Sequence, residues 1–319
     1  MQNGYLRPLI LTLVAGVIAA LPLAAADSQD GAAFTVTETG RGYARLQDAV
    51  DAAGGRNATI AIAPGRYRQC AVQEAGRIAY VAERAGTVTF DRAACEGKAT
   101  LVLRGRGAEI RGITFRNVAV DDGNGAGIRL EQGNLSVSQS WFADSQQGIL
   151  TGDDPKSSIV IDKSTFSGLG TCENSAGCAH SIYIGDYGLL RVTNSRFERG
   201  TGGHYLKARA GKVEILSNSF DDANGRATNY MIDLPAGATG RIEGNWFVQG
   251  RDKENYSVFI AVGAEELWHE SDGLAISGNV ARFVPGLRRS SAFVGDWTGH
   301  RLAIGANELA PGIKRFEAR

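Results

Sequence analysis

The chain has 319 residues, with 34 basic and 34 acidic side chains. Opposite charges are interspersed and cancel, which excludes the broad cationic surface of a nucleic-acid binder or of a protein drawn to anionic membranes. With no Pro/Ser-rich linker and no abrupt change of composition, residues 27–319 read as one elongated domain.

The N-terminus places Arg7 before an apolar run from Leu9 to Leu23 and the small residues Ala24, Ala25 and Ala26. This predicts a signal peptide over residues 1–26 and an exported protein, periplasmic or extracellular, with no membrane association after cleavage. A retained anchor is the alternative, but the apolar run is short against the roughly 20 residues a span needs. Next comes "YARLQDAVDAAGG", with Leu46, Ala49, Val50 and Ala53 at helical spacing and Gly54 and Gly55 to end it. Lying just before the strand-like "TIAIAPGRY", this helix is placed to cover an otherwise open sheet edge.

The four cysteines, Cys70, Cys95, Cys172 and Cys178, all follow the export segment. An even count in an oxidising compartment points to disulfides, Cys70 with Cys95 and Cys172 with Cys178, because each pair is local. A metal site is the alternative, but neither CxxC spacing nor paired histidines support one.

From Phe115 onward one short phrase recurs: "RGITF", "VSQSWF", "IDKSTF", "VTNSRF", "ILSNSF", "IEGNWF" and "ISGNVA", at spacings of 23 to 34 residues. Such a period with inserts marks a solenoid. Apolar alternation at Ile159–Ile161, Leu190–Val192 and Val213–Ile215 assigns strands, and 42 glycines, well above the usual share of about 7%, supply corners. The expected fold is all-β, a right-handed parallel β-helix with an N-terminal capping helix and coils about 4.8 Å apart. Ser140, Ser164, Ser195, Asn218, Asn245 and Asn279 share one position of the phrase and predict a polar ladder at a bend, followed by a stack of phenylalanines.

With its repeats, "IAPGRYRQC", "DGNGAGIRLEQGNL", "GHYLKARA" and a later "VGAEE", the chain resembles right-handed parallel β-helix proteins of the pectate-lyase-like superfamily, in particular a bacterial exported group. That superfamily spans lyases, uronate epimerases, hydrolases, esterases and adhesins, so the resemblance implies the fold and leaves the activity to the site.

Superposing "HSIYIGDYGLLRVTNSRF" on "HYLKARAGKVEILSNSF" sets His180 over His204 and Tyr183 over Lys207, and the next coil, "NYMIDLPAG", sets Asp233 beside Lys207. Strand alternation then turns Leu206 and Ala208 inward and Tyr205, Lys207 and Arg209 outward. The candidate catalytic residues are His204, Lys207, Arg209 and Tyr183; the candidate substrate-binding residues are His180, Tyr205, Tyr230 and Asp233. This set suits attack on a uronic-acid sugar. Arg209 or Lys207 neutralises the carboxylate, and His204, Tyr183 or a Lys207 deprotonated by neighbouring cations removes the proton at C5. Elimination of the C4 oxygen makes a lyase; return of the proton from the other face makes an epimerase. The partner is then an acidic polysaccharide bound by a monomer. Structural alternatives stand beside these roles: a solvated Lys207 paired with Asp233, a corner His204, and tyrosines that only stack.

"GDD" at Gly152–Asp154 suggests the paired acids of an inverting hydrolase, but no second acid accompanies it. Asp121–Asp122, Asp153–Asp154 and Asp221–Asp222 offer oxygen ligands to Ca2+ but equally suit turns, so no cofactor or metal is assigned. A non-catalytic glycan-binding or surface-assembly protein is the competing reading of the same groove.

Overall fold

A computed structural model describes residues 1, 4, 31–174 and 177–319. The expected signal peptide lies outside the described residues. The chain winds through three sheets in turn: Asn57–Ile62 belongs to sheet 1, Gly65–Tyr67 to sheet 2 and Ala71–Gln73 to sheet 3, before Arg77–Ala82 returns to sheet 1. Repetition of this path builds, among the described residues, sheets of 12, 10 and 10 strands, parallel from coil to coil.

Coils turn the corner from sheet 1 to sheet 2 through one left-handed residue: Gln139, Lys163, Asn194 and Ser217 have φ of 49°, 48°, 50° and 57°. The next residue is the expected ladder position. Ser140 N–H donates to Ser164 Oγ at 3.3 Å, Ser195 N–H to Asn218 Oδ1 at 2.9 Å, and Asn279 N–H to Asn307 Oδ1 at 3.0 Å. Backbone donors that the corner withdraws from the sheets are thus satisfied by side chains. Two positions on, Phe115, Phe142, Phe166, Phe197, Phe220 and Phe247 stack in the core with ring centroids 4.8 to 5.1 Å apart.

The capping helix spans Leu46–Ala53 and buries Leu46, Ala49, Val50 and Ala53, as its spacing predicts. Its Gln47 exchanges two hydrogen bonds with Val72, Nε2 donating to the carbonyl at 3.0 Å and Oε1 accepting from the N–H at 2.8 Å. The side-chain amide therefore occupies the position of a further strand on the open edge of sheet 3. An antiparallel pair, Phe34–Val36 with Arg41–Tyr43, closes sheet 1 against Asn57–Ile62. Cys70–Cys95 and Cys172–Cys178 are both disulfide-bonded, as expected.

Candidate active site

Sheet 3 carries the site on its outer face. Ile182, Leu206 and Ile232 pair in register and point into the core, so the following residues, Tyr183, Lys207 and Asp233, form a row across three coils. One step before the strands the alternation fails. Tyr205 and Leu206 are both buried at the corner, which shifts the outward parity to His204. Tyr205 is therefore corrected as a substrate contact: it is 1% exposed, and its hydroxyl donates to Asp222 Oδ1 at 2.7 Å and accepts from the Gly200 N–H at 3.0 Å. Asp222 in turn holds the buried Lys253 at 3.2 Å, making this an internal structural network.

The two imidazoles pack against each other, their planes tilted by 35°. His204 lies over His180 at 4.9 Å and beside Tyr230 at 5.5 Å, and its backbone N–H donates to His180 Nδ1 at 3.0 Å. Burial, with Lys207 and Arg209 nearby, pushes His180 down to about 3; burial, with His180 and Lys207, holds His204 well below the ordinary imidazole range. Both rings are neutral at pH 7. His204 Nε2 faces Asp233 Oδ2 at 3.3 Å, and Lys207 Nζ approaches the same oxygen at 3.4 Å. Burial pushes Asp233 up to about 6 against the pull of Lys207. Its Oδ1 is buried without a hydrogen-bond partner.

A residue outside the sequence-derived set completes the cluster. The loop Gly263–Glu270 folds back over sheet 3, fastened by the Glu265 N–H to the Pro235 carbonyl at 3.1 Å. Glu265 accepts from Lys207 Nζ at 2.5 Å and from Arg209, bridging both cations. Burial opposes its ionisation, but the bonds to Lys207 and Arg209 outweigh it and hold the carboxyl below its usual range. Arg209 also donates to the Tyr183 hydroxyl. Its Cζ lies 5.3 Å from the Tyr183 ring and 5.5 Å from the Trp268 ring, a guanidinium between two aromatic faces. His269 Nε2 pins the same loop, 3.1 Å from Asp186 Oδ1 and 3.0 Å from the Arg209 carbonyl.

The structure thus brings together His180, Tyr183, His204, Lys207, Arg209, Tyr230 and Asp233. It changes the setting of Lys207, which is only 9% exposed and contacts carboxylates, not the cations expected to deprotonate it. An ammonium in that position is fitted to neutralise charge. Glu265, Trp268 and His269 escaped sequence reasoning, although Glu265 falls in the quoted "VGAEE". Their loop lies outside the repeat phrase, so no register could assign them to a coil.

The paired acids serve turns. Asp153 Oδ1 accepts from the Asp186 N–H at 2.8 Å, and Asp154 Oδ2 from the Gly133 N–H at 2.9 Å and from Ser157 Oγ at 2.8 Å. Asp221 accepts from the Ala223 N–H at 3.0 Å, while Asp222 is committed to Tyr205 and Lys253. Among the described residues, Cys172, Cys178 and Glu254 have potential metal-ligand atoms grouped together, but the two sulfurs are joined in a disulfide.

A model of the right handed beta helix region matches residues 99–280, more than half of the chain. The chain belongs to this right-handed β-helix family. No curated protein matches it. Among solved structures it is similar to the ORF18 protein of Geobacillus virus E2, with a TM-score of 0.52 at 14% identity, over 85% of this chain and 56% of that one. It therefore spans little more than half of that protein's length. A second likeness is to the Streptococcus pneumoniae surface protein and adhesin PfbA, with a TM-score of 0.36 at 11% identity over 88% of this chain and 96% of that one. At 14% identity the likeness to the ORF18 protein concerns the fold alone. Two disulfides are consistent with an oxidising compartment, and among the described residues no helix is long and apolar enough to cross a membrane.

Proposed function

We infer that this β-helix protein is exported and acts, in the manner of pectate-lyase-like proteins, on a uronic-acid-containing glycan laid across the coils of sheet 3. The reading is a lyase or C5-epimerase. The observation that carries it is the in-register row of Tyr183, Lys207 and Asp233, with Arg209 and His204 beside it. A substrate carboxylate would displace Glu265 and take its place between Lys207 and Arg209, which offset the charge that builds up as the C5 proton leaves. The neutral His204, held against Asp233, is the candidate base. In elimination its gain of the C5 proton is matched by a new C4–C5 double bond and departure of the C4 oxygen, which takes up a proton. In epimerisation a proton drawn from solvent is delivered to C5 from the opposite face while His204 gives its own up to solvent, and no bond of the chain is cut.

Two observations favour the competing, binding-only reading: Glu265 already engages both cations, and His204 is 8% exposed. Incubation with a panel of uronate polymers in D2O separates these readings. Absorbance of unsaturated uronate identifies a lyase, deuterium at C5 without chain cleavage an epimerase, and binding with neither supports the glycan-binding protein. Arg209→Lys is expected to restore little activity, since an ammonium lacks the planar fork that grips a carboxylate.

A further inference from the structure

The segment "DGNGAGIRLEQGNL" has no part in the cluster around Lys207, yet it lies on the same outer face. Arg129 pairs in register with Leu150, and Leu150 with Tyr183, so Arg129 stands in the Lys207 row, three coils away, or about 14 Å at the usual strand spacing. Around Arg129 and reaching to Tyr183 is a cleft of 390 Å³ walled by Lys98, Asp122, Asn124, Arg129, Leu150 and Tyr183.

The charges of this cleft are unevenly committed. Lys98 is held by Glu131 at 2.7 Å and Glu96 at 3.2 Å. Asp122 accepts from the Asn124 N–H at 2.9 Å, and the Asn124 side-chain oxygen is fixed by Gln147 Nε2 at 2.9 Å. Arg129, by contrast, makes no hydrogen bond or ion pair among the described residues, and its Nε is buried without a partner. A half-buried guanidinium that lacks any acceptor carries a desolvation cost that a bound anion would offset. Its planar donors match a carboxylate, and the exposed Asp122 can accept from sugar hydroxyls.

We propose that the cleft over Arg129 is a second carboxylate-binding subsite, which holds a uronate residue several units along the glycan from the one between Lys207 and Arg209. The proposal rests on the acidic-glycan reading of sheet 3. Calorimetric titration of the full chain with hexagalacturonate and hexamannuronate, each beside its methyl ester, tests it. Arg129→Gln should weaken binding of the free acid at least tenfold, leave any binding of the ester within twofold, and keep the parent's melting temperature. Arg129→Lys should recover part of the loss. If Arg129→Gln binds the free acids as the parent does while Lys207→Ala does not, the subsite is wrong and the acidic-glycan reading stands. If neither free acid binds the parent protein, both fail.

Discussion

Asp233 and Lys207 form a pair whose energetics depend on pH. With a folded pKa of about 6 against an ordinary value of 3.8, Asp233 keeps a proton that the unfolded chain has already released, so its contribution to stability falls as pH rises through that window. Lys207→Ala removes the cation that restrains this shift, and the fall should continue to higher pH. The variant is expected to melt near the parent at pH 5 and clearly below it at pH 8; an equal loss at both would mean that the pair is uncoupled. The histidines act in the opposite sense. Between the ordinary 6.5 and about 3, the unfolded chain binds a proton that folded His180 does not, so acid destabilises the fold. His180→Gln should flatten the acid limb of the melting profile from pH 6.5 downward. At this scale strand alternation made Lys207 and Asp233 legible in the sequence. It misplaced Tyr205 because a corner puts two successive residues inward, and alternation holds only within a strand.

Among the elements, the loop Gly263–Glu270 lies over the candidate site. Glu265 neutralises Lys207 and Arg209 while it stays 43% exposed, so it can be displaced without opening the core. Glu265→Gln should tighten binding of an acidic oligosaccharide several-fold in a titration, because the cations lose a competing charge; weaker binding would make Glu265 a direct ligand contact. The capping helix was legible because its buried residues keep a 3.6-residue period over Leu46–Ala53. Its neighbours Phe34–Val36 and Arg41–Tyr43 were not, since three residues are too few to display a period. The loop was illegible for another reason. Acids outside any repeat carry no information on which coil they meet, and Glu265 reaches Lys207 across 58 positions of sequence.

Over the whole molecule, stability is close to a sum of coils and their nearest-neighbour contacts. Phe197, stacked 4.8 Å from both Phe166 and Phe220, should cost about 3 to 5 kcal/mol when cut to alanine. Hydrogen exchange should locate the loosening in those adjacent coils and leave the capping helix protected. The solenoid itself was legible because phenylalanine and the ladder residue recur together, whereas groove chemistry depends on side chains that only the register brings side by side. The ladder also has a direction. From Asn218 onward each Nδ2 donates to the Oδ1 of the next asparagine, at 3.0 Å to Asn245, 3.0 Å to Asn279 and 2.9 Å to Asn307. Each amide is also anchored to a backbone carbonyl, of Val192, Ile215 and Ile242 in turn. Among the described residues the serine part lacks these links between side chains, each hydroxyl donating to a backbone carbonyl instead. Under tension along its axis, the molecule should therefore behave as two materials: a serine half that peels coil by coil at low force, and an asparagine half that resists as a block and gives way in one larger step.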